Sequence, residues 1–456
     1  MQATAIILAA GLGTRMKSSR PKTLHRLAGR SMLRHLIASC STVFDRIVVV
    51  LGPDMEAVRQ EAAPHTCVVQ KDRLGTAHAA LQAVEHFGFG QVAVLYADNP
   101  LIRPETLRRL LDSHTEGSLS LLAFRSDNPA QYGRALTNTD GLVERIVEYA
   151  DATPAERAVD LCNAGVLCAS ADDMRTWLYA VGNDNANAEY YLTDLVALAR
   201  ADGRPVRAVQ APADELAGVN SRGELARAEA LLQRWMRDAA MEAGVTMIDP
   251  ASVFLSADTQ LAPDVTIEPN VFFGPGVTIA SNVTIRAFSY IEQSTIGAGS
   301  IIGPFARLRP GVVLDKDVHI GNFVEIKASH LADGVKAGHL SYIGDTSVGP
   351  KTNIGAGTIT CNYDGTNKYR TTIGANVFVG SDVALIAPVS VGDGAILAAG
   401  SVITEDVAPN ALALARARQV QKSGRAVHMR AAAAAAKTAA AAAAKTAAMA
   451  TKKENN

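Results

Sequence analysis

From Leu261 to Ile291 the chain reads LAPDVTIEPNVFFGPGVTIASNVTIRAFSYI, with Leu261, Ile267, Phe273, Ile279, Ile285 and Ile291 spaced six residues apart. The phase slips and the same spacing continues through Ile296, Ile302, Leu308, Leu314, Ile320 and Ile326. Leu331, Ala337 and Ile343 follow, then Val348 and Ile354. After an interruption, Ile373, Val379, Leu385, Val391, Leu397 and Ile403 resume it. A period of six is not an amphipathic helix period. It predicts a β-solenoid with three short sides per turn, each side sending one aliphatic residue inward to stack on its equivalents. The segment Cys361–Thr372, CNYDGTNKYRTT, breaks the period and reads as a loop thrown out of the coil, a usual place for function on a rigid scaffold.

Upstream the pattern differs. Apolar β-prone stretches at Thr4–Ala9, Asp45–Leu51 and Gln91–Tyr96 alternate with amphipathic stretches such as Met32–Ser41 and Ala77–His86. That alternation predicts an α/β domain with a parallel sheet covered on both faces. Between the two regions lies GELARAEALLQRWMRDAAMEA, residues 223–243, with Leu225, Ala228, Leu231, Leu232, Trp235 and Met236 near helical spacing and Gly244 as a stop. Four parts are therefore expected: an α/β domain over 1–222, a linker helix over 223–243, a β-solenoid over 244–430, and an Ala/Lys-rich tail over 431–456. The tail has no bulky apolar face and is read as a frayed helix or a mobile basic segment.

Bulk properties narrow the class. The chain has 456 residues, too many for one core, and a formal net charge of -1, which gives no pull toward nucleic acid. No apolar run approaches the roughly 20 residues a bilayer span needs, and the N-terminus lacks the charged start of a signal peptide. The five cysteines, Cys40, Cys67, Cys162, Cys168 and Cys361, form no CxxC pair and are expected as reduced thiols in a cytoplasmic protein.

The first strand runs into LAAGLGTRM, residues 8–16, where glycines permit close approach to phosphate and Arg15 adds charge. The spacing is not that of the dinucleotide fingerprint, and a Gly-rich turn alone is weak. A lone Lys22 in a polar loop is ordinarily a solvated charge, and a lone Gln70, Glu148 or Asn163 is ordinarily a turn or strand-edge residue. The ordered set is more specific. After LAAGLGTRM come Pro21-Lys22, QKDRLGTAHA at 70–79 and YADNP at 96–100. This resembles the sugar-1-phosphate nucleotidyltransferases. YGR at 132–134, IVEY at 146–149, CNAG at 162–165 and AGVNSR at 217–222 narrow the match. Together with the solenoid they resemble the bifunctional N-acetylglucosamine-1-phosphate uridylyltransferase/glucosamine-1-phosphate N-acetyltransferase family over nearly the whole chain except the tail.

The resemblance implies a Rossmann-like nucleotidyltransferase domain and a left-handed parallel β-helix of hexapeptide repeats. It assigns Leu8, Ala9, Ala10, Gly11, Gln70, Gly75 and Thr76 to the uridine nucleotide, Tyr96 and Ala97 to substrate binding, and Arg15 and Lys22 to the triphosphate. Gly133, Glu148 and Asn163 would bind the sugar, and Asp98 and Asn220 would hold Mg²⁺. UTP and N-acetylglucosamine-1-phosphate are the implied substrates, and no covalent intermediate is required. Two residues depart from the family: Ala97 stands where Gly is usual, with a methyl that would crowd the nucleotide if the backbone approaches it closely, and Ala164 stands where Thr is usual, removing a hydroxyl; activity is expected to survive both, with kinetics or sugar preference open to change.

In the solenoid, FARLRPG supplies Arg309, NFVEIKAS supplies Glu325 and Lys327, KAGHLSYIGD supplies His339 and Tyr342, and NIGAGTITCNYDG supplies Asn353, Asn362 and Tyr363. A solenoid alone does not prove chemistry, because such coils also serve as oligomerisation domains. The polar set disfavours that purely structural alternative. By resemblance His339 is the general base toward the amine of glucosamine-1-phosphate and Glu325 orients that amine. Backbone N–H groups near Gly355–Gly357 are candidates for the oxyanion. Arg309 and Lys327 would hold the sugar phosphate, with Tyr342 and Asn353 beside them. Ala356, Asn362, Tyr363, Lys368, Ser381, Ala399 and Arg416 would bind acetyl-CoA, with Lys368 reaching a neighbouring subunit. The family is trimeric, and its product feeds peptidoglycan and lipopolysaccharide synthesis.

Overall fold

The computed structural model describes residues 2–454 except 128, 130, 131 and 186, and no side chains from 450 onward. In the N-terminal part a nine-stranded sheet forms the framework. Its main path runs Val206–Gln210, Leu119–Arg125, Leu161–Ser170, Gln91–Tyr96, Ala3–Leu8, Arg46–Leu51, Thr66–Val69. Ala3–Leu8 is buried along its whole length, as expected of a central strand whose two faces are both covered. The helices Met32–Cys40 and Pro104–Asp112 pack on one face, and Thr76–Leu81, Ala171–Ala180 and Leu195–Ala201 on the other.

The sheet is not wholly parallel, which corrects the reading from sequence. Leu161–Ser170 runs antiparallel to both its neighbours. The physical reason lies between Ser126 and Asp160. That stretch forms the hairpin Arg134–Thr137/Val143–Val147 instead of a long crossover helix, so the chain re-enters the sheet reversed.

The expected linker is the helix Arg222–Glu242. Ser221 caps it by accepting the Glu224 N–H, and Gly244, at φ +97°, follows its end. Leu225, Ala228, Leu231, Leu232 and Trp235 pack with Leu27, Met32, Leu101 and Val219 of the first domain. One turn later Met236, Ala240 and Met241 pack against the solenoid core. Gln233, 2 % exposed, both donates to and accepts from the Leu255 backbone, which pins the helix to the first coil.

The solenoid has three parallel sheets, one on each side of the coil, of ten, eight and eight strands. Ile267 pairs with Ile285, and Ile285 with Ile302, so the six-spaced residues stack coil upon coil. Five-residue steps at Ile291–Ile296, Ile326–Leu331 and Ile343–Val348 each shorten a coil without breaking the ladder. This is the left-handed parallel β-helix of the sequence reading. One continuous apolar cluster runs from Val245 to Ile403 along its axis. Each fully buried Ile or Val contributes about 1.5–3 kcal/mol.

The Ala-rich tail, read as frayed or mobile, is one helix, Arg425–Glu454. It begins before residue 431 because Arg425–Arg430 extends the helix-favouring alanine run. Its described side chains are exposed.

Candidate functional sites

At the C-terminal edge of the central strands the chain leaves Leu8 into Ala9-Ala10-Gly11 and leaves Tyr96 into Ala97-Asp98. This is where open α/β sheets place ligands. A cavity of about 410 Å³ opens there. It is lined by Leu8, Ala9, Ala10, Gly11, Arg15, Lys22, Gln70, Gly75, Thr76, Tyr96, Asp98 and Asn220, residues spread over the whole domain. Gly13 has φ +63°, and a Cβ there would press into the Lys22 stem. The glycine thus lets Lys22 cross the turn.

The charges converge. Lys22 Nζ lies 2.5 Å from Asp98 Oδ2 and 2.9 Å from Asn220 Oδ1, and Arg15 donates to the same Asn220 oxygen at 2.9 Å. Two oxygens from distant segments therefore meet on one ammonium. A pair of this kind suits an oxygen-preferring cation that takes its remaining ligands from phosphates and water. Among the described residues no cluster of three or more His, Cys, Asp or Glu could hold a metal by itself.

Gln70, 3 % exposed, donates to the Gly75 carbonyl at 3.1 Å and so shapes the loop that opens the helix Thr76–Leu81. A second cavity of about 530 Å³ shares Thr76, Tyr96 and Glu189 with the first. Glu148 and Tyr149 line it. Burial, then the carboxylates of Asp151 and Asp194, push the Glu148 carboxyl above its ordinary value. Gly133 sits under that carboxylate, where a Cβ would come within 3.2 Å of it.

Asn163 does structural work. Its Oδ1 accepts the Gly165 N–H at 3.0 Å and its N–H donates to Gly133 O at 2.9 Å. Gly165, at φ +79°, lies where any side chain would overlap the Tyr96 ring. The register of its strand shifts between Asn163 and Leu167. Ala97 is 1 % exposed and its methyl packs in the apolar core, not among the residues that line the cavity. Ala164 is likewise buried in that core. Sequence reasoning missed Arg73, whose Nε donates to Ala10 O at 2.8 Å in the cavity wall, and Glu189, which lines both cavities. Arg73 lies inside the QKDRLGTAHA motif and was legible there; Glu189 follows an Asn-rich loop with no separate signal.

In the solenoid the catalytic candidates stack by coil. Arg307 pairs with Glu325 and Glu325 with Tyr342 in register. Glu325 Oε1 lies 2.8 Å from Arg309 Nη1, and its other oxygen lies 3.6 Å from Arg307. The carboxylate expected to orient an amine is thus engaged by two guanidinium groups. Lys368, expected to reach a neighbouring subunit, lies near Lys327 of its own chain. Contact with the Lys368 ammonium is the main cause that lowers the Lys327 titration, with Arg309 adding to it and Asp345 opposing. Like charges gathered in this way suit a phosphate.

The ejected loop is ordered as a small hairpin. Tyr363 bridges to Lys368, Tyr369 N–H donates to Asn362 O, and Asp364 accepts from Thr366 and Asn367. Asn362 donates to Asp345 Oδ2 at 2.5 Å.

One corner of the coil carries a left-handed residue in successive turns: Phe323, Leu340, Gly357, Asp382 and Gly400. The residue before each is Asn322, His339, Ala356, Ser381 and Ala399. His339 and three of the positions assigned to acetyl-CoA therefore form one column along one edge. Arg416 joins it by donating to Ala399 O at 2.8 Å. Asn353 stands on the adjoining side, in register with Lys336.

Comparison with known proteins agrees with both halves. Residues 5–234 match the MobA-like NTP transferase domain model. Residues 293–328 match the bacterial transferase hexapeptide model, and residues 370–405 the hexapeptide repeat of succinyl-transferase. The chain is 63 % identical over 432 residues to the bifunctional protein GlmU of Acidiphilium cryptum, covering 94 % of this chain and 99 % of that one. It is 61 % identical over 436 residues to the corresponding protein of Gluconacetobacter diazotrophicus, covering 94 % of each. With that of Granulibacter bethesdensis it shares 59 % over 432 residues, covering 94 % of this chain and 96 % of that one.

Proposed function

The chain belongs to the family of bifunctional GlmU proteins, and from that premise we propose how its two sites divide the work. It is a bifunctional enzyme of UDP-N-acetylglucosamine synthesis, with an N-terminal uridylyltransferase and a C-terminal acetyltransferase. In the solenoid, Arg309, Lys327 and Lys368 hold the phosphate of glucosamine-1-phosphate, with Tyr342 and Asn353 at the sugar. His339 accepts a proton from the amine. The nitrogen attacks the thioester carbon of acetyl-CoA, the C–S bond breaks, and coenzyme A leaves as the thiol. Ala356, Asn362, Tyr363, Ser381, Ala399 and Arg416 line the path of acetyl-CoA. Glu325 fixes Arg309 and through it the phosphate.

In the α/β domain, Leu8–Gly11, Gln70, Gly75 and Thr76 cradle UTP. Tyr96, Gly133, Glu148 and Asn163 shape the end that takes N-acetylglucosamine-1-phosphate. Arg15 and Lys22 neutralise phosphate charge. A phosphate oxygen of the sugar attacks the α-phosphorus, the bond to the β-phosphate bridging oxygen breaks, and pyrophosphate leaves. Asp98 and Asn220 would hold Mg²⁺, which when bound supplies charge neutralisation on the phosphates. We infer a cytoplasmic homotrimer. Among the described residues no helix is long and apolar enough to cross a membrane.

The observation that supports this reading most directly is the meeting of Asp98 and Asn220 on Lys22 inside the cavity lined by the LAAGLGTRM and LGTAHA motifs. The test supplies glucosamine-1-phosphate, acetyl-CoA, UTP and Mg²⁺ and follows thiol and pyrophosphate separately. Asp98→Ala is expected to abolish pyrophosphate release alone, whereas His339→Ala is expected to abolish thiol release and to release pyrophosphate only when N-acetylglucosamine-1-phosphate is supplied directly. Thiol release that survives His339→Ala would refute the role given to that residue.

A further inference from the structure

We propose that Asn322, which opens NFVEIKAS but has no role assigned to it there, is a positioning residue for acetyl transfer: it fixes the tautomer and orientation of His339. The proposal rests on the reading of His339 as general base.

The geometry begins with the coil. Asn322 and His339 occupy the same place in successive turns, each followed by a left-handed residue, Phe323 at φ +57° and Leu340 at φ +50°. The strands His319–Asn322 and Lys336–His339 are four residues long, whereas Ile301–Ile302, one coil earlier on the same side, has two. The added ladder reaches as far as the Asn322–His339 pair. Gly321 makes this possible, since a Cβ there would overlap the Gly338 carbonyl of the next coil. The two backbones close until a short amide side chain spans the gap, and Asn322 Oδ1 lies 2.7 Å from His339 Nδ1.

The chemistry follows. A carboxamide oxygen can only accept, so Nδ1 carries the proton and Nε2 is left with its lone pair, the form a general base requires. The histidine backbone is anchored as well. Ser341 Oγ donates to His339 O at 2.9 Å and contacts Gly355 O at 3.2 Å. With the backbone held by Ser341 and the ring by Asn322, little rotation remains to be frozen in the transition state. The upper neighbours in the column, Ala356, Ser381 and Ala399, carry small side chains, so Asn322 is the polar partner the column offers below the ring. The other ionisable groups facing this edge are His319, on the strand of Asn322, with Arg286 from an earlier coil and Lys336 on the strand of His339. Burial first, then Arg286, Lys336 and His339, hold His319 below its ordinary value.

The test compares Asn322→Ala, Asn322→Asp and His339→Ala in the full-length enzyme, with uridylyl transfer and the melting temperature as controls for folding. Asn322→Ala is expected to lower kcat for acetyl transfer on the order of 10²-fold. KM for acetyl-CoA and uridylyl transfer should stay unchanged. Asn322→Asp keeps an acceptor and is expected to restore most of the rate. It should also move the acidic limb of the acetyl-transfer pH profile upward, because a carboxylate beside Nδ1 favours the imidazolium. In ¹⁵N-histidine-labelled protein, the imidazole signals lost in His339→Ala should report a single Nδ1–H tautomer in wild type and a mixture in Asn322→Ala. An Asn322→Ala enzyme with wild-type kcat, pH profile and tautomer would overturn the proposal. Acetyl transfer surviving in His339→Ala would instead overturn the general-base reading beneath it.

Discussion

The Lys22 ammonium sits 2.5 Å from the Asp98 carboxylate, and the Asn220 oxygen that completes the pair is 2.9 Å away. On the proposed reading these are the two residues that would hold Mg²⁺, so Lys22 and the cation would compete for them. Were Asp98 and Asn220 to hold a cation, the Lys22 ammonium would have to leave these contacts and would be free to meet phosphate. Replacing it with an uncharged chain separates the two roles. Lys22→Met is expected to raise Mg²⁺ affinity in the absence of nucleotide, because the competing charge is gone. It should lower kcat for uridylyl transfer by about 10²–10³-fold, the usual cost of removing one positioned charge-stabilising group. Calorimetric Mg²⁺ titration and pyrophosphate release read the two effects. Weaker metal binding in the variant would show that Lys22 organises the pair instead of occupying it.

Glu148 gives a pH prediction. Its folded-state titration is raised above 4.5 by burial, then by Asp151 and Asp194. The folded protein thus binds a proton that the unfolded chain has released, and stability falls as pH rises from 4.5 through the raised value. Glu148→Gln removes the buried charge. Its melting temperature should match wild type near about pH 4 and exceed it near about pH 8. KM for N-acetylglucosamine-1-phosphate should rise in the same variant. A melting difference that is equal at both pH values would remove Glu148 as the titrating group.

Lys368 lies against Lys327 of its own chain. If both face one phosphate, Lys368→Met should raise KM for glucosamine-1-phosphate about tenfold, or about 1.4 kcal/mol, and leave KM for acetyl-CoA unaltered. An effect confined to acetyl-CoA would return Lys368 to the role that its sequence position suggested.

The solenoid was legible because its packing is local and periodic: each of Ile267, Ile285 and Ile302 meets the same environment one coil later. The nucleotide pocket was legible through motifs whose residues converge only in the fold, such as Lys22, Asp98 and Asn220. Three things were hidden, each for a physical reason. The reversed strand Leu161–Ser170 depends on the hairpin before it, and apolar runs do not encode direction. The inward turn of Ala97 depends on strand phase at a single residue. Asn322 opens NFVEIKAS, but it acquires its partner only when two coils stack, so its role could not be read from the motif.

Periodic packing also decides where stability resides. Ile320 is fully buried in the continuous core, stacked on Ile302 below and Ala337 above, whereas the described tail side chains lie open to solvent. Ile320→Ala should cost about 2–5 kcal/mol, because the cavity is walled by ladders that cannot collapse independently. Each coil contacts its immediate neighbours, so the loss should spread toward the His339 column two coils or fewer away and should lower acetyl transfer on heating before uridylyl transfer. Removing residues 425–456 deletes a 30-residue helix that buries no described side chain. That truncation should leave the melting transition and both activities unchanged. Differential scanning calorimetry with residual thiol and pyrophosphate assays separates the two variants. A truncation that melts early would mean that the tail docks on another copy of the chain in solution.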